Sequence, residues 1–358
     1  MTGRPRPREG KVPREFLESS VFGSLGARRD ELVVGPGHGL DNAVVSLGGG
    51  RALLLTSDPL TFIPALGAEW SARLTVDLLA SDLSTSGVPP QFAMLDFNLP
   101  PGLDLRSAGA YLRAVGRECE RLGVAIAGGH TGRYAGSGYT VVGGGTMLSV
   151  CDEDAYVTPA MACAGDSLVV TKGAAIGATA VLAGCFPEAV ESRAGPGVLR
   201  EARRRLRDCS TVADAAAASG VGLRERVTSM HDATEGGVLG AASELSSACG
   251  LPVFVEAERV DVPEECAAVC GAFGLDPLTT LSEGTLLVTC KPGSVEDLRG
   301  ALAGAGISSC EVGRVGAREE GEGLWLSKRG SRPRRHAPAP DRYWEAYSRA
   351  ARVPLRGR

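Results

Sequence analysis

The chain has 358 residues, of which 44% are apolar and 22% charged, and it carries a formal net charge of -4 at pH 7. That length exceeds a usual single hydrophobic core and predicts two domains of roughly 150 residues each, while the near-neutral charge gives no general pull toward nucleic acid or membrane. No apolar run approaches the ~18 residues of a membrane-spanning helix, and the N-terminal Arg4-Pro5-Arg6-Pro7-Arg8 lacks a signal-peptide core, so a cytoplasmic protein is expected.

Residues 1–11 are rich in Pro and Arg and predict a disordered lead, followed by a short helix over Val12–Leu25. An N-terminal domain is expected over residues 12–158. Within it, Leu32–Val34, Ala43–Leu47 and Ala52–Thr56 read as strands between glycine turns, Ala72–Ser86 as a helix stopped by Gly87 and two prolines, and Phe92–Asn98 as a strand. Arg106–Leu122 reads as a helix, Val124–Ala127 as a short buried strand and Thr140–Val150 as a glycine-interrupted strand.

A second α/β domain is expected over residues 159–327, with its boundary near Pro159–Gly165. It opens with strand Asp166–Thr171 and helix Ile176–Leu182 and continues through one long polar helix around Arg200–Ala218. Helix Val238–Ser247, strand Pro252–Glu256, helix Glu264–Phe273, strand Thr285–Cys290 and helix Ser294–Ala303 follow. The tail, residues 328–358, holds ten Lys or Arg against two acids and one amphipathic stretch, Asp341–Arg349. Without a groove-reading motif, packing of Tyr343, Trp344 and Tyr347 onto the body is favoured over a nucleic-acid arm. Ten cysteines lie between Cys119 and Cys310 with no CxxC pair, which fits free thiols in a reducing compartment.

The densest glycine loop, Gly35-Pro-Gly37-His-Gly39-Leu-Asp41-Asn42, is not a dinucleotide fingerprint, because a strand and not a helix follows it. Its backbone N–H groups can cradle phosphates and Asp41 can face a metal, or the loop is a simple connection with Asp41 as a turn residue. Three further segments place polar residues where apolar elements end: Thr56-Ser-Asp58-Pro, Ser81-Asp82-Leu and Gly128-Gly129-His130-Thr131. Asp82 falls near the apolar seam of its helix, where an unpaired carboxylate is costly and calls for a metal, a cation or a capping role. Three aspartates from separate segments suit magnesium bound to nucleotide better than a closed cage, and an all-oxygen set argues against zinc. His130 can contact a phosphate or move a proton, or it can be a structural histidine. Met230-His231-Asp232-Ala233-Thr234-Glu235-Gly-Gly precedes a helix that Asp232 or Thr234 can cap while its N–H groups bind an anion. Ser282-Glu283-Gly-Thr similarly precedes a strand.

In their shared order, these segments resemble the superfamily of aminoimidazole ribonucleotide (AIR) synthetase, thiamine monophosphate kinase, selenophosphate synthetase and the hydrogenase-maturation carbamoyl dehydratase. The resemblance runs over about residues 11–327 and includes Thr171-Lys172-Gly173. It implies a two-domain α+β fold of the PurM-like type, with the N-terminal domain forming an intersubunit β-barrel in a homodimer. It further implies that Asp41, Asp58 and Asp82 hold Mg2+ and ATP, with Gly37, Gly39, Asn42, Gly129, Thr131, Lys172 and Thr234 also on the nucleotide side and His130 and Asp232 in catalysis. The implied reaction moves the γ-phosphate to an oxygen, often amide-like, of a small-molecule or protein-bound substrate. The motifs around Asp232 and Glu283 look most like the hydrogenase-maturation branch. That branch works on its own C-terminal cysteine, whereas this sequence reads Pro354-Leu-Arg-Gly-Arg358 after a last cysteine at Cys310, so an external substrate is expected. Alternatives are a thiamine monophosphate-type kinase, from which Asn42 and His130 depart, and a low-turnover nucleotide-binding maturation partner.

Overall fold

The computed structural model describes residues 9–138, 140–328, 330–337 and 339–352; the part of the expected disordered lead in residues 1–8 lies outside them. Two sheets organise the chain. The first contains β1 (Leu32–Val34), β2 (Ala43–Gly48), β3 (Arg51–Thr61), β4 (Phe92–Leu99), β5 (Ala125–Arg133) and β6 (Val141–Asp152), ordered β1-β2-β3-β6-β4-β5. Its single parallel pair, β4 with β5, is joined through the helix Leu105–Arg121, as a parallel crossover requires.

Side-chain alternation explains why this sheet is covered on one face only. Along β4, Ala93, Leu95, Phe97 and Leu99 are buried while Phe92, Met94 and Asp96 point outward. The inner face packs against helices Gly67–Ser84 and Leu105–Arg121 in a core that includes Leu54, Leu79, Leu83, Tyr111 and Met147. The outer face keeps Phe92, Met94, Ile126 and Val141 between 41% and 51% exposed.

The second sheet contains β7 (Ser167–Thr171), β8 (Val227–Ala233), β9 (Val253–Glu256), β10 (Thr285–Cys290), β11 (Ser309–Val315), β12 (Leu324–Ser327) and β13 (Arg334–His336). Its order is β13-β12-β9-β11-β7-β10-β8. Here β7, β8 and β10 are buried at every residue, because helices cover both faces. Leu168, Val170 and Leu287 pack toward helix Gly237–Cys249, and Val169, Leu286 and Val288 toward helices Val212–Ser219 and Val295–Gly304.

The expected long helix around Arg200–Ala218 is instead the end of helix Pro196–Arg204, a tight turn at Arg205–Arg207 and the separate helix Val212–Ser219. The break falls at residues 208–211, where the Thr211 N–H donates to Ser81 Oγ at 2.9 Å and the Val212 N–H to Ser210 Oγ at 3.4 Å, outside any helical ladder. Four strands escape the sequence reading: β8, β11, β12 and β13. Polar His231 and Asp232 interrupt the apolar run of β8, and β12 and β13 are too short to show a period. The basic tail supplies β13 and the helix Tyr343–Ala351, whose Tyr343 and Ala346 are buried in the core around helix Ile176–Cys185. No helix of the described residues is long and apolar enough to cross a membrane.

Candidate active site

Between the two sheets lies a cavity of about 1250 Å3, lined by Asp41, Asp58, Asp82, Asp232 and Glu283 and, on its other side, by Ile63, Leu74 and the C-terminal helix. Each carboxylate arrives on a different element. Asp41 ends the glycine loop and Asp82 sits within helix Gly67–Ser84. Asp58 lies inside β3 and Asp232 inside β8, so both belong to strands and not to the loop ends expected of them. Glu283 stands on the turn before β10.

The glycine loop reaches the second domain by close backbone approach. Gly39 has φ +78°, and a Cβ on it would stand 2.2 Å from the Glu244 carbonyl oxygen on helix Gly237–Cys249. Only glycine permits both conditions. This contact sets Asp41 beside His231, whose Nδ1 lies 2.7 Å from Asp41 Oδ1 and whose Nε2 lies 3.2 Å from Glu244 Oε2. His231 shares a strand face with Ala233, which packs toward that same helix. Burial opposes its charge, but Asp41 and Glu244 outweigh burial and raise the imidazolium to about 10. Glu244 falls to about 2, burial being overcome by His231 and Lys11. Both ring nitrogens of His231 are therefore donors. Asp41 is left with Oδ2 buried and, among the described residues, without a partner.

The other carboxylates shift upward. Burial chiefly, with Asp232, Asp58, Asp41 and Glu283 adding repulsion, raises Asp82 well above its ordinary value. Burial and Asp41 bring Asp232 to about 7, against the pull of His231 and Lys11. Asp58 reaches about 6, mainly through burial, and Glu283 is raised by burial, Asp232 and Asp58. Like charges crowded in a poorly solvated cleft call for a cation. Ligand atoms of Asp41, His231 and Asp232 all lie within 4.8 Å of one another, and the orphaned Asp41 Oδ2 is the kind of oxygen a divalent ion takes up. With His231 fully engaged as a donor, the oxygen set fits magnesium better than a nitrogen-preferring metal.

The remaining sequence candidates divide. Thr234 lines the cavity beside Asp232, but neither caps the following helix: its N-cap is Gly236, whose N–H donates to Asp341 Oδ2 at 3.1 Å. Asn42 donates to the Asp82 carbonyl at 2.8 Å and to Thr85 Oγ1 at 2.9 Å, and Thr56 Oγ1 donates to Asp82 Oδ2 at 3.1 Å, so Asn42 and Thr56 fix Asp82. Gly37 packs against Leu40, outside the cavity lining. Lys172 stands apart, its ammonium 2.7 Å from Asp214 and 2.6 Å from the Ser210 carbonyl. Gly129, His130 and Thr131 lie within edge strand β5, and His130 Nε2 lies 2.7 Å from the Tyr134 hydroxyl on the exposed outer side. Gly129 is needed where it is, since a Cβ there would stand 1.8 Å from the Leu95 carbonyl oxygen of β4. Residues that sequence reasoning did not select are His231, Glu244, Glu283, Lys11 and Glu235. His231 and Glu283 stood inside segments already singled out, whereas nothing local marks Lys11 or Glu244.

Residues 39–151 match the N-terminal domain, and residues 164–325 the C-terminal domain, of AIR synthase related proteins. The chain belongs to the AIR synthase related family. It is similar to the carbamoyl dehydratase HypE of Rhodobacter capsulatus, 25% identical over 328 residues that cover 87% of this chain and 88% of the other. Among solved structures it resembles the hydrogenase maturation protein HypE in complex with ATP, with a TM-score of 0.67, 18% identity and coverage of 93% and 96% of the two chains. It also resembles AaThiL complexed with AMPPCP and TMP, with a TM-score of 0.65, 19% identity and coverage of 84% and 91%. These likenesses establish the two-domain PurM-like fold.

Proposed function

We propose that this family member is an ATP- and Mg2+-dependent phosphoryl-transfer enzyme, hydrogenase-maturation-like, that activates an amide-like or other oxygen of a small-molecule or protein-bound substrate. The observation that carries the reading is the convergence of Asp41, Asp58, Asp82 and Asp232 on one cleft, with Asp41 Oδ2 unpartnered and the other three carboxyls raised. The bound ATP of the HypE structure and the AMPPCP of the AaThiL structure support a nucleotide there.

In this reading Asp41, Asp58 and Asp82 would hold Mg2+, which would supply positive charge against the phosphates during γ-phosphoryl transfer. The chain's own residues do the rest. His231 pins one oxygen of Asp41 and leaves the other free. Asn42 and Thr56 fix Asp82 from the neighbouring elements. Asp232, poised near neutrality, accepts the proton that the substrate group loses as it attacks phosphorus, and the bond from phosphorus to the ADP oxygen breaks. Thr234 and the N-terminal glycine loop flank the phosphates. A homodimer is part of the proposal: the outer face of the first sheet leaves Phe92, Met94 and Ile126 exposed on one side, an apolar face that a second copy can cover. In that dimer the β5 segment Gly129-His130-Thr131 faces the partner, which is where His130 can act.

Isothermal titration of ATP with and without Mg2+, on wild type and Asp82→Ala, tests the site. The variant is expected to lose Mg-dependent affinity by about 100-fold, in line with loss of a charged metal contact. Equal affinity and stoichiometry in both proteins would sink the assignment.

A further inference from the structure

Residues 9–11 and the helix Tyr343–Ala351 meet over the cleft, and both lie outside the stretches matched to the family, residues 39–151 and 164–325. Glu9, Gly10 and Lys11 line the cavity from one side, and Tyr343, Trp344, Tyr347 and Ser348 line it from the other. Their meeting point is Glu235, three residues beyond Asp232. The Lys11 backbone N–H donates to Glu235 Oε2 at 2.5 Å, and Trp344 Nε1 donates to Glu235 Oε1 at 2.7 Å. Ser348 Oγ donates to Glu9 Oε2 at 2.8 Å. Gly10, at φ +107°, lies so close that a Cβ would stand 2.7 Å from Glu235 Oε2 and 3.0 Å from the Trp344 ring.

The two sides are held very differently. The C-terminal helix is anchored by Tyr343 and Ala346, 2% and 4% exposed, and by Asp341, which accepts from Gly236 N–H and Thr280 Oγ1, both at 3.1 Å. The N-terminal segment is exposed from Glu9 through Phe16 and buries no side chain in its first helical turns. It is held by polar contacts, including Lys11 Nζ to Glu244 Oε1 at 3.1 Å and Arg14 to Ser247 at 3.0 Å. A segment bound by a few exposed hydrogen bonds opens at far lower cost than one bound by buried apolar side chains.

We propose that Glu9–Lys11 is a latch that opens and recloses over the cleft, with the C-terminal helix as its fixed seat and Glu235 as its catch. Closed, it retains the ligand and carries the Lys11 ammonium to the rim of the carboxylate cluster, a position suited to phosphate oxygens; this consequence rests on the nucleotide reading above. Glu235 makes the closure a joint property of the N-terminal segment and the C-terminal helix, since one carboxylate accepts from each.

Hydrogen exchange and ligand dissociation in the full-length chain test it. Wild type is compared with Trp344→Phe, which keeps the ring but removes its donor, and with Trp344→Phe combined with Ser348→Ala. In the ligand-free wild type, the Lys11 amide is expected to be protected, with exchange about tenfold faster in the double variant. The dissociation rate of Mg–AMPPCP is expected to rise about tenfold in the double variant, with the association rate no slower. Exchange of Lys11 at the free-chain rate in wild type, or an unchanged dissociation rate in the double variant, would overturn the latch. If no protein binds Mg–AMPPCP, the nucleotide reading fails, and the exchange comparison still decides whether the latch docks.

Discussion

Two regions carry the family's motif residues, and they are built on opposite terms. The cleft gathers Asp41, Asp58, Asp82 and Asp232 from four elements of two domains into a poorly solvated site where charges are shared, paired or pushed toward neutrality. The β5 edge presents Gly129, His130 and Thr131 consecutively on one exposed strand, with His130 bonded only to Tyr134 among the described residues. In the cleft, each side chain depends on its neighbours; along β5, only the glycine backbone does. Substitutions should therefore propagate in the first region and stay local in the second.

The largest effect is expected at His231. Its two donors meet Asp41 and Glu244, whose side chains are 7% and 13% exposed, so His231→Gln leaves the buried Asp41 without its cation and Glu244 with Lys11 alone. Breaking one partner of a buried ion pair costs about 3–5 kcal/mol, and chemical denaturation of the metal-free protein should show a loss of that size. A loss under about 1 kcal/mol would mean that the cleft is far better solvated than its packing indicates. Gly39→Ala should rank next, at about 3 kcal/mol, because it combines a left-handed backbone with a collision against the Glu244 carbonyl oxygen. It should also weaken Mg-dependent nucleotide binding, since the loop that carries Asp41 must lift from the helix.

The third effect follows from proton linkage and is read as a shift of the unfolding transition with pH. Asp58 and Asp232 sit at about 6 and about 7, above their ordinary 3.8, so the folded protein holds these protons more tightly than the unfolded chain. Their contribution is complete below pH 3.8 and is lost as pH rises through 7. His231, raised from 6.5 to about 10, adds a contribution lost between those values. Glu244, lowered from 4.5 to about 2, works the other way and is lost as pH falls below 4.5. Thermal unfolding of the metal-free protein should thus peak near pH 4–5 and decline toward pH 10. If the proposed site holds Mg2+ on its ionised carboxylates, saturating Mg2+ should flatten the decline between pH 4 and 7. The same decline with and without Mg2+ would separate the cluster from metal binding.

What the sequence disclosed follows the same division. Strands Leu32–Val34 and Thr285–Cys290 and helix Glu264–Phe273 were legible to the residue, because short apolar runs bounded by Gly, Pro and charged residues fix their ends locally. The acids of the cleft were legible as ordered motifs. Their setting was not: β3 runs on through Asp58-Pro59 to Thr61, and β5 runs on through Gly128-Gly129, because cross-strand pairing overrides the local turn signals. The cations beside Asp41 and Glu244 were hidden for a different reason. His231 lies 190 residues from Asp41 and Lys11 233 residues from Glu244, and only the packing of two domains brings them together.

The smallest expected effect lies on the other side of the comparison. His130→Ala removes one exposed hydrogen bond to the Tyr134 hydroxyl and no buried contact, so its effect on monomer stability should fall within about 0.5 kcal/mol. Mg-dependent ATP affinity, measured at protein concentrations where the chain is monomeric, should match wild type, because His130 does not line the cleft. The decisive variable is concentration. If two chains join through the exposed face of Phe92, Met94 and Ile126, sedimentation should show a dimer whose turnover His130→Ala lowers while the monomer's nucleotide affinity stays intact. A loss of affinity in the isolated monomer would instead place His130 within the first region, and would show that β5 and the cleft form one site within a single chain.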